Sequence, residues 1–157
     1  KKNTKIIPVD SEHYSIFKLI ENSKINEIDK IFITASGGPF LNYNRKLLKN
    51  ITPKEALKHP KWKMGKKISI DSSTLMNKIF EFIEAQKLFN IPEEKLDIII
   101  HPNSLVHAIV KFKNGLTNFI YHETSMIVPI VNAIFDGNLV IKNFYVSKKK
   151  ITMLLKI

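Results

Sequence analysis

Two hydrophobic periods share this chain. Asp29 to Ala35 (DKIFITA) runs into the turn signal Ser36-Gly37-Gly38-Pro39, which predicts a strand. Leu96 to Ile100 is a short apolar run, the mark of a buried strand. Leu105 to Phe112 and Leu116 to Tyr121 flank Lys113-Asn114-Gly115, and the Asn-Gly pair predicts a hairpin. Ile6 to Val9 predicts a further short strand. Between these lie helical patterns. Glu12 to Ile20 predicts a helix with Ser11 as its N-cap. Thr52-Pro53-Lys54-Glu55 opens a short helix, with Thr52 capping, Pro53 at the first helical position and Glu55 completing a capping box. His59 to Lys67 has no periodicity and carries Pro60 and Gly65, so it predicts a loop, and Ser69 to Asp71 reads as extended. From about Ser73 to Phe89, a face of Leu75, Met76, Ile79, Phe80, Phe82 and Ile83 opposes one of Asn77, Lys78, Glu81 and Glu84. That pattern predicts a long amphipathic helix with its apolar face inward. Ile127 to Phe135 is a short apolar helix or strand, and past Gly137 the pattern weakens into the charged run Lys148-Lys149-Lys150. Strands alternate with helices, so the fold class is α/β or α+β, a sheet core with packed helices.

Composition narrows the function classes. The chain has 157 residues, 44% of them hydrophobic, enough to bury one domain's core. It has no cysteine, which excludes a disulfide scaffold, a thiolate metal site and cysteine catalysis. No apolar run approaches the roughly 18 residues that span a bilayer. No apolar h-region follows the basic start at Lys1 to Lys5, so no signal peptide is read and a cytoplasmic location is expected. The formal charge of +11 raises nucleic acid as a partner. Yet Arg45 is the sole arginine among the 25 basic residues, and arginine is the residue of bidentate phosphate and base contacts. Lysine, isoleucine and asparagine are all swollen, and all three are spelled by A/T-rich codons. The charge therefore reads as genome composition, with a basic surface around an anionic substrate left open.

Candidate chemistry gathers in five places. On the long helix, Asn77, Lys78 and Glu81 lie within one turn of each other, behind Asp71-Ser72-Ser73-Thr74. Hydroxyls and free N–H groups at a helix N-terminus suit a phosphate. Glu81 then offers a carboxylate to a hard cation, although an ordinary ion pair on a solvated face explains Lys78 and Glu81 as well. Asp10 and Glu12 form a second carboxylate source at an extended-to-helix junction, where α/β folds place ligands. With Glu81 they compose an all-oxygen set for Mg²⁺ or Mn²⁺; helix capping is the alternative reading of Asp10. Ser36-Gly37-Gly38 brings backbone N–H groups close to an anion, or is a plain turn. The loop with His59, Trp62 and Met64 holds the only tryptophan, as a lid over a ligand or as an anchor to the core. His101 and His107 flank a turn, and one facing the site would bind substrate or shuttle protons. The five glycines form neither G-x-G-x-x-G nor a P-loop, so no nucleotide fingerprint is present.

These segments together closely resemble a known family. Ile7 to His13 (IPVDSEH), Thr34 to Phe40 (TASGGPF), His59 to Ser69 (HPKWKMGKKIS), Asp71 to Lys78 (DSSTLMNK) with Glu81, and Ile100 to Ser104 (IHPNS) with His107 occur in order. They resemble the catalytic domain of the 1-deoxy-D-xylulose 5-phosphate reductoisomerases, from about Ile6 to His107. The resemblance implies that Asp10, Glu12 and Glu81 ligate Mg²⁺ or Mn²⁺. It places a phosphate on Ser36, Ser72, Asn77 and Lys78, and Ser11 at the substrate's hydroxyl or carbonyl end. His59, Trp62 and Met64 would lie on a flap, and His107 would line the site. The implied reaction rearranges 1-deoxy-D-xylulose 5-phosphate by retro-aldol and aldol steps, and NADPH reduces the aldehyde to 2-C-methyl-D-erythritol 4-phosphate. Met126 matches a position near the nicotinamide.

The chain departs from the family in two places. Ile79 stands where the family has glycine after Asn-Lys, which predicts altered packing on the buried face. Ser125-Met126-Ile127-Val128-Pro129-Ile130 replaces Pro-Asp-Met-Arg-x-Pro-Ile, so the acid and the arginine are absent. Residues 1–136 are expected to form the metal- and substrate-binding domain and 137–157 a poorly matching basic tail. The resemblance places a dinucleotide-binding domain before Lys1 and a helical domain after Ile157, so the chain alone is expected to be inactive. It implies a homodimer in a bacterial cytoplasm or plastid-type organelle, with a phosphorylated sugar as partner and neither nucleic acid nor membrane. Two other functions compete: a metal- and phosphate-binding homologue without reductase activity, and a basic nucleic-acid-binding domain.

Overall fold

Ile28–Ala35 forms the central strand, β1, of the computed structural model, which describes residues 4–62, 64–136, 138 and 140. Before it lies α1 (Ser11–Ile20). After it come α2 (Pro53–Ala56), α3 (Lys66–Ser73), α4 (Met76–Phe89), β2 (Leu96–Ile100), β3 (Val106–Phe112), β4 (Thr117–Tyr121) and α5 (Ile127–Phe135). The sheet order is β2-β1-β3-β4. β1 and β2 are parallel, and the other pairs are antiparallel. Beyond Asp136 only residues 138 and 140 are described, so the expected basic tail lies almost wholly outside the described residues.

Period-two alternation builds the core. Ile31 and Ile33 point to one face, with Leu96 and Ile98 opposite on β2 and Val110 and Ala108 opposite on β3. Ile16 of α1 and Ala85 of α4 close over this row, and Ile16, Ile31, Ile33, Ala85, Ala108 and Val110 have no exposed surface. On the opposite face Phe32, Ile109 and Phe119 align across three strands. The Asn-Gly hairpin forms as expected, with Gly115 at φ +90°, open only to glycine without strain. In the short helix Glu55 reaches back to the Thr52 N–H and hydroxyl, at 2.8 and 2.7 Å.

Four expectations need correction. Ile6 to Val9 joins no strand among the described residues, and Ile6 and Val9 are exposed because nothing there buries them. The N-cap of α1 is Asp10: its Oδ1 accepts the N–H groups of Glu12 and His13, and Ser11 is already helical. Ser69 to Asp71 is helical, inside α3. The Ser69 N–H and hydroxyl both donate to the Gly65 carbonyl, and Lys67 pairs with Asp71 one turn on, at 2.6 Å. The long helix starts at Met76, because Leu75 takes the left-handed conformation at φ +60° and separates it from α3.

The orientation of α4 is also the reverse of the expected one along its first turns. Lys78 and Glu81 are buried, at 7% and 6% exposure, while Met76, Ile79, Phe80 and Ile83 are exposed. Charges go inside because they meet opposite charges there. Ile79 therefore stands on the open face, and the core does not repack around it. No described helix is long and apolar enough to cross a membrane.

Candidate active site

The elements around the carboxyl end of β1 enclose a cavity of about 360 Å³; the expected metal ligands, phosphate donors and flap residues line it with Ser11, His107 and Met126, whereas Gly38, Asp71, Ser73, Thr74 and His101 do not. Asp10 and Glu12 enter from the N-terminal end of α1, and Glu81 enters from α4. One ligand atom from each of the three lies within 4.8 Å of the others. The Lys78 ammonium bridges two of them, at 2.9 Å from Glu12 Oε1 and 2.6 Å from Glu81 Oε2. Asn77 donates its amide to Glu81 Oε1 at 2.5 Å, and the Ser11 hydroxyl donates to Glu12.

Electrostatics follow from this crowding. Burial first, and then the Glu12 charge, push the Glu81 carboxyl up to about 8, against the pull of Lys78. Burial works to lower the Lys78 ammonium, but Glu12 and Glu81 overcome it and hold Lys78 above its ordinary range. His13, which the sequence reading passed over, is a structural partner of the site. Its Nε2 lies 2.9 Å from the Glu81 carbonyl, and its Nδ1 lies 3.2 Å from Asp10 Oδ1. Burial disfavours its charge, yet with an acceptor at each nitrogen it rises to about 9. The same contact holds Asp10 below its usual value although burial would raise it. The signal available in sequence was the i, i+3 spacing of Asp10 and His13 across a helix start.

The neutral donors sit beside the carboxylates. Ser36 follows β1, and Asn77 and Lys78 occupy the first turn of α4. Ser72 was expected at the head of the long helix and instead ends α3. It reaches the cavity because Gly38 lets α3 approach: a Cβ there would lie 2.6 Å from the Ser72 carbonyl oxygen, and φ is +69°. His59 Nδ1 accepts the N–H groups of Lys61 and Trp62, so the proton sits on Nε2 and donates to Ser36 Oγ at 3.0 Å. Ser36 Oγ also accepts from the Gly38 N–H. With both accepting directions used, its own hydroxyl hydrogen is left to donate to an anion. Burial, and then Lys78, keep His59 below its ordinary value and hence neutral.

The loop of His59, Trp62 and Met64 forms one wall, and the edge of Trp62 meets the His107 ring at 6.2 Å between centroids. His107 sits on a β-bulge: Val106 pairs with Tyr121, but Ala108 pairs with Ile120. The Thr34 hydroxyl faces the Val106 and His107 carbonyls, at 2.6 and 3.1 Å. Ser104, at φ +52°, lines the same cavity with a buried hydroxyl that has no partner, and neither it nor Thr34 was anticipated. His101 lies outside the lining, with its N–H on the Ala35 carbonyl.

Residues 6–89 match the family model described as 1-deoxy-D-xylulose 5-phosphate reductoisomerase C-terminal domain. The chain belongs to the 1-deoxy-D-xylulose 5-phosphate reductoisomerase family. It is 57% identical over 135 residues to the reductoisomerase of Pelagibacter ubique, covering 86% of this chain and 35% of the relative. It is 52% identical over 133 residues to that of Persephonella marina, covering 85% of this chain and 36% of the relative. Among solved structures, a DOX-P reductoisomerase in complex with NADPH, fosmidomycin and magnesium superposes with a TM-score of 0.80 at 39% identity. That superposition covers 87% of this chain and 36% of the other. The Zymomonas mobilis reductoisomerase in complex with NADPH gives 0.81 at 37%, covering 94% and 37%. The chain thus spans about a third of the length of the curated relatives it matches.

Within this reductoisomerase fold, the segment that departs most from the family motif, Ser125 to Ile130, leads into α5. Met126 lines the cavity and is partly exposed. Ile127, at the arginine position of the motif, is exposed.

Proposed function

We propose that residues 1–136 supply the metal- and substrate-binding site for the conversion of 1-deoxy-D-xylulose 5-phosphate to 2-C-methyl-D-erythritol 4-phosphate. The observation that carries this reading is one cavity in which three convergent carboxylates lie beside a set of donors, Ser36, Ser72, Asn77 and Lys78, with Asn77 and Lys78 bonded to Glu81 itself. The carboxylate cluster suits a hard divalent cation, because its donors are all oxygen and it already holds an ammonium between Glu12 and Glu81. Asp10, Glu12 and Glu81 would hold Mg²⁺ or Mn²⁺, which when bound supplies Lewis-acid polarisation of the substrate's oxygens. NADPH, held mainly by parts of the enzyme other than these residues, would supply the hydride, and Met126 is the residue here that would contact it.

The chain's own side chains bind and orient. The hydroxyls of Ser36 and Ser72 and the Asn77 amide donate to the phosphate, and Lys78 adds a charge-assisted bond. The phosphate is a remote handle whose binding energy fixes the reacting end. Ser11 faces that end, next to Glu12. Trp62 and Met64 cover the bound sugar and exclude water, with His59 pinning their loop to Ser36. The same reading makes the full-length enzyme a homodimer of a bacterial cytoplasm or plastid-type organelle.

Calorimetric titration of the protein with 1-deoxy-D-xylulose 5-phosphate tests the reading. Binding should require Mg²⁺ or Mn²⁺ and weaken by roughly 1.5–3 kcal/mol in Lys78→Ala, the range for hydrogen bonds to charged groups. Equal affinity in that variant, or no metal-dependent binding in the wild type, would refute it. A second reading, a homologue that binds the sugar phosphate without reducing it, is favoured by Ser125 and Ile127 where the family motif has acid and arginine. NADPH oxidation by the full-length protein separates the two.

A further inference from the structure

His107 is held on three sides. The edge of Trp62 meets it from the lid loop, and the His122 ring stacks on it at 3.7 Å between centroids and 14° between planes. Its Nε2 lies 3.1 Å from the His122 carbonyl. A carbonyl only accepts, so Nε2 carries the proton, and Nδ1 is left as the ring's acceptor. His122 is fixed in the opposite tautomer: its Nδ1 donates to the Glu123 carbonyl at 2.7 Å, and its Nε2 is buried with no partner. The bulge at His107 and the bond from the His122 N–H to the Leu105 carbonyl bring both rings to one side of the β3–β4 pair. Both rings are buried, and burial keeps each below its ordinary value, His122 down to about 4, so neither is charged near neutrality.

The surrounding polar groups give the lone pair a use. Apart from the carboxylates, the cavity offers donors: serine hydroxyls, the Asn77 amide and the Lys78 ammonium. A sugar hydroxyl must also donate, and His107, a neutral ring lining the cavity, has Nδ1 as its remaining acceptor.

We infer that His122 is a positioning residue: its ring and carbonyl lock His107 as the Nε2–H tautomer, so that Nδ1 accepts a hydroxyl hydrogen from the bound sugar phosphate. The hydroxyl contact rests on the sugar-phosphate reading of the cavity, whereas the lock on His107 does not.

Two measurements on His122→Ala and His122→Phe separate these parts. In nitrogen-15 imidazole spectra, the wild type and His122→Phe, which keeps a stacked ring, should show one His107 tautomer, protonated at Nε2. His122→Ala should show two tautomers in exchange. A single unchanged tautomer in folded His122→Ala overturns the lock. In calorimetry with Mg²⁺, His122→Ala should weaken 1-deoxy-D-xylulose 5-phosphate by about tenfold, the scale of one uncharged hydrogen bond, and leave inorganic phosphate unchanged. His122→Phe should restore most of that loss. Equal losses for both ligands, or no rescue by phenylalanine, overturn the acceptor role, since a general loss of structure would act on both. A wild type that binds inorganic phosphate but not the sugar phosphate contradicts the substrate reading and the acceptor role together, and the spectra still decide the lock.

Discussion

Binding of Mn²⁺ to the substrate-free protein should tighten steeply between pH 6 and pH 8, because one of its three ligands begins as an acid. Glu81 titrates at about 8, raised first by burial and then by Glu12. A carboxylic acid must lose its proton to ligate. At pH 6 about one Glu81 in a hundred is ionised, and at pH 8 about half are, a ratio near fifty or about 2.3 kcal/mol. Asp10 sits below its usual value and stays ionised throughout. His13, at about 9, stays protonated over nearly the whole range. A plot of log affinity against pH, from electron paramagnetic resonance of free Mn²⁺ at constant ionic strength, should rise with a slope close to one and flatten past pH 8. Glu81→Gln should bind weakly and without that slope. Lys78→Met, which removes the cation that lowers Glu81, should shift the bend to higher pH. Tight binding that is flat from pH 6 to 8, or a slope that survives in Glu81→Gln, would refute the assignment of Glu81 as the titrating ligand.

Two further outcomes follow from the same contacts. Gly38→Ala should cost at least about 2 kcal/mol in urea denaturation, from its left-handed φ and the clash with the Ser72 carbonyl, and it should weaken inorganic phosphate by moving Ser72; an alanine variant of wild-type stability would show that α3 does not pack so close. In EDTA, stability should fall as pH rises from about 6.5 to 9. His13 is raised from 6.5 to about 9, so its contribution, no more than about 3 kcal/mol, is complete below 6.5 and lost through 9. Glu81, raised from 4.5 to about 8, acts in the same direction, but its contribution is lost about one pH unit lower than that of His13, so His13→Gln should level off at lower pH than the wild type; a wild type that gains stability over this window contradicts both shifts.

Much of the site was legible in residue order because its chemistry is carried by short segments. Asp10-Ser11-Glu12, Ser36-Gly37-Gly38 and Asn77-Lys78 with Glu81 each bring their own local geometry, a helix start, a glycine turn and one helical turn. The hairpin at Asn114-Gly115 and the reach of Glu55 to Thr52 are local in the same sense. Such features depend on neighbours within four residues, and a linear pattern records those neighbours.

What the pattern misread depends on distant partners. It put the apolar side of α4 inward, since hydrophobicity alone gives no reason to bury a lysine and a glutamate. Lys78 goes inside because Glu12, 66 residues earlier, receives it there. Leu75 breaks the helix without glycine or proline to announce the break, and its left-handed backbone turns Lys78 and Glu81 toward α1. His13 acquires its role only when α4 presents the Glu81 carbonyl, and His122 only when a bulge swings His107 against it. Residue types and local spacing therefore determined which chemistry the chain carries. Tertiary structure decided which groups are buried together, and so their charge and tautomer, because those properties belong to the surroundings of a side chain and not to its place in the sequence.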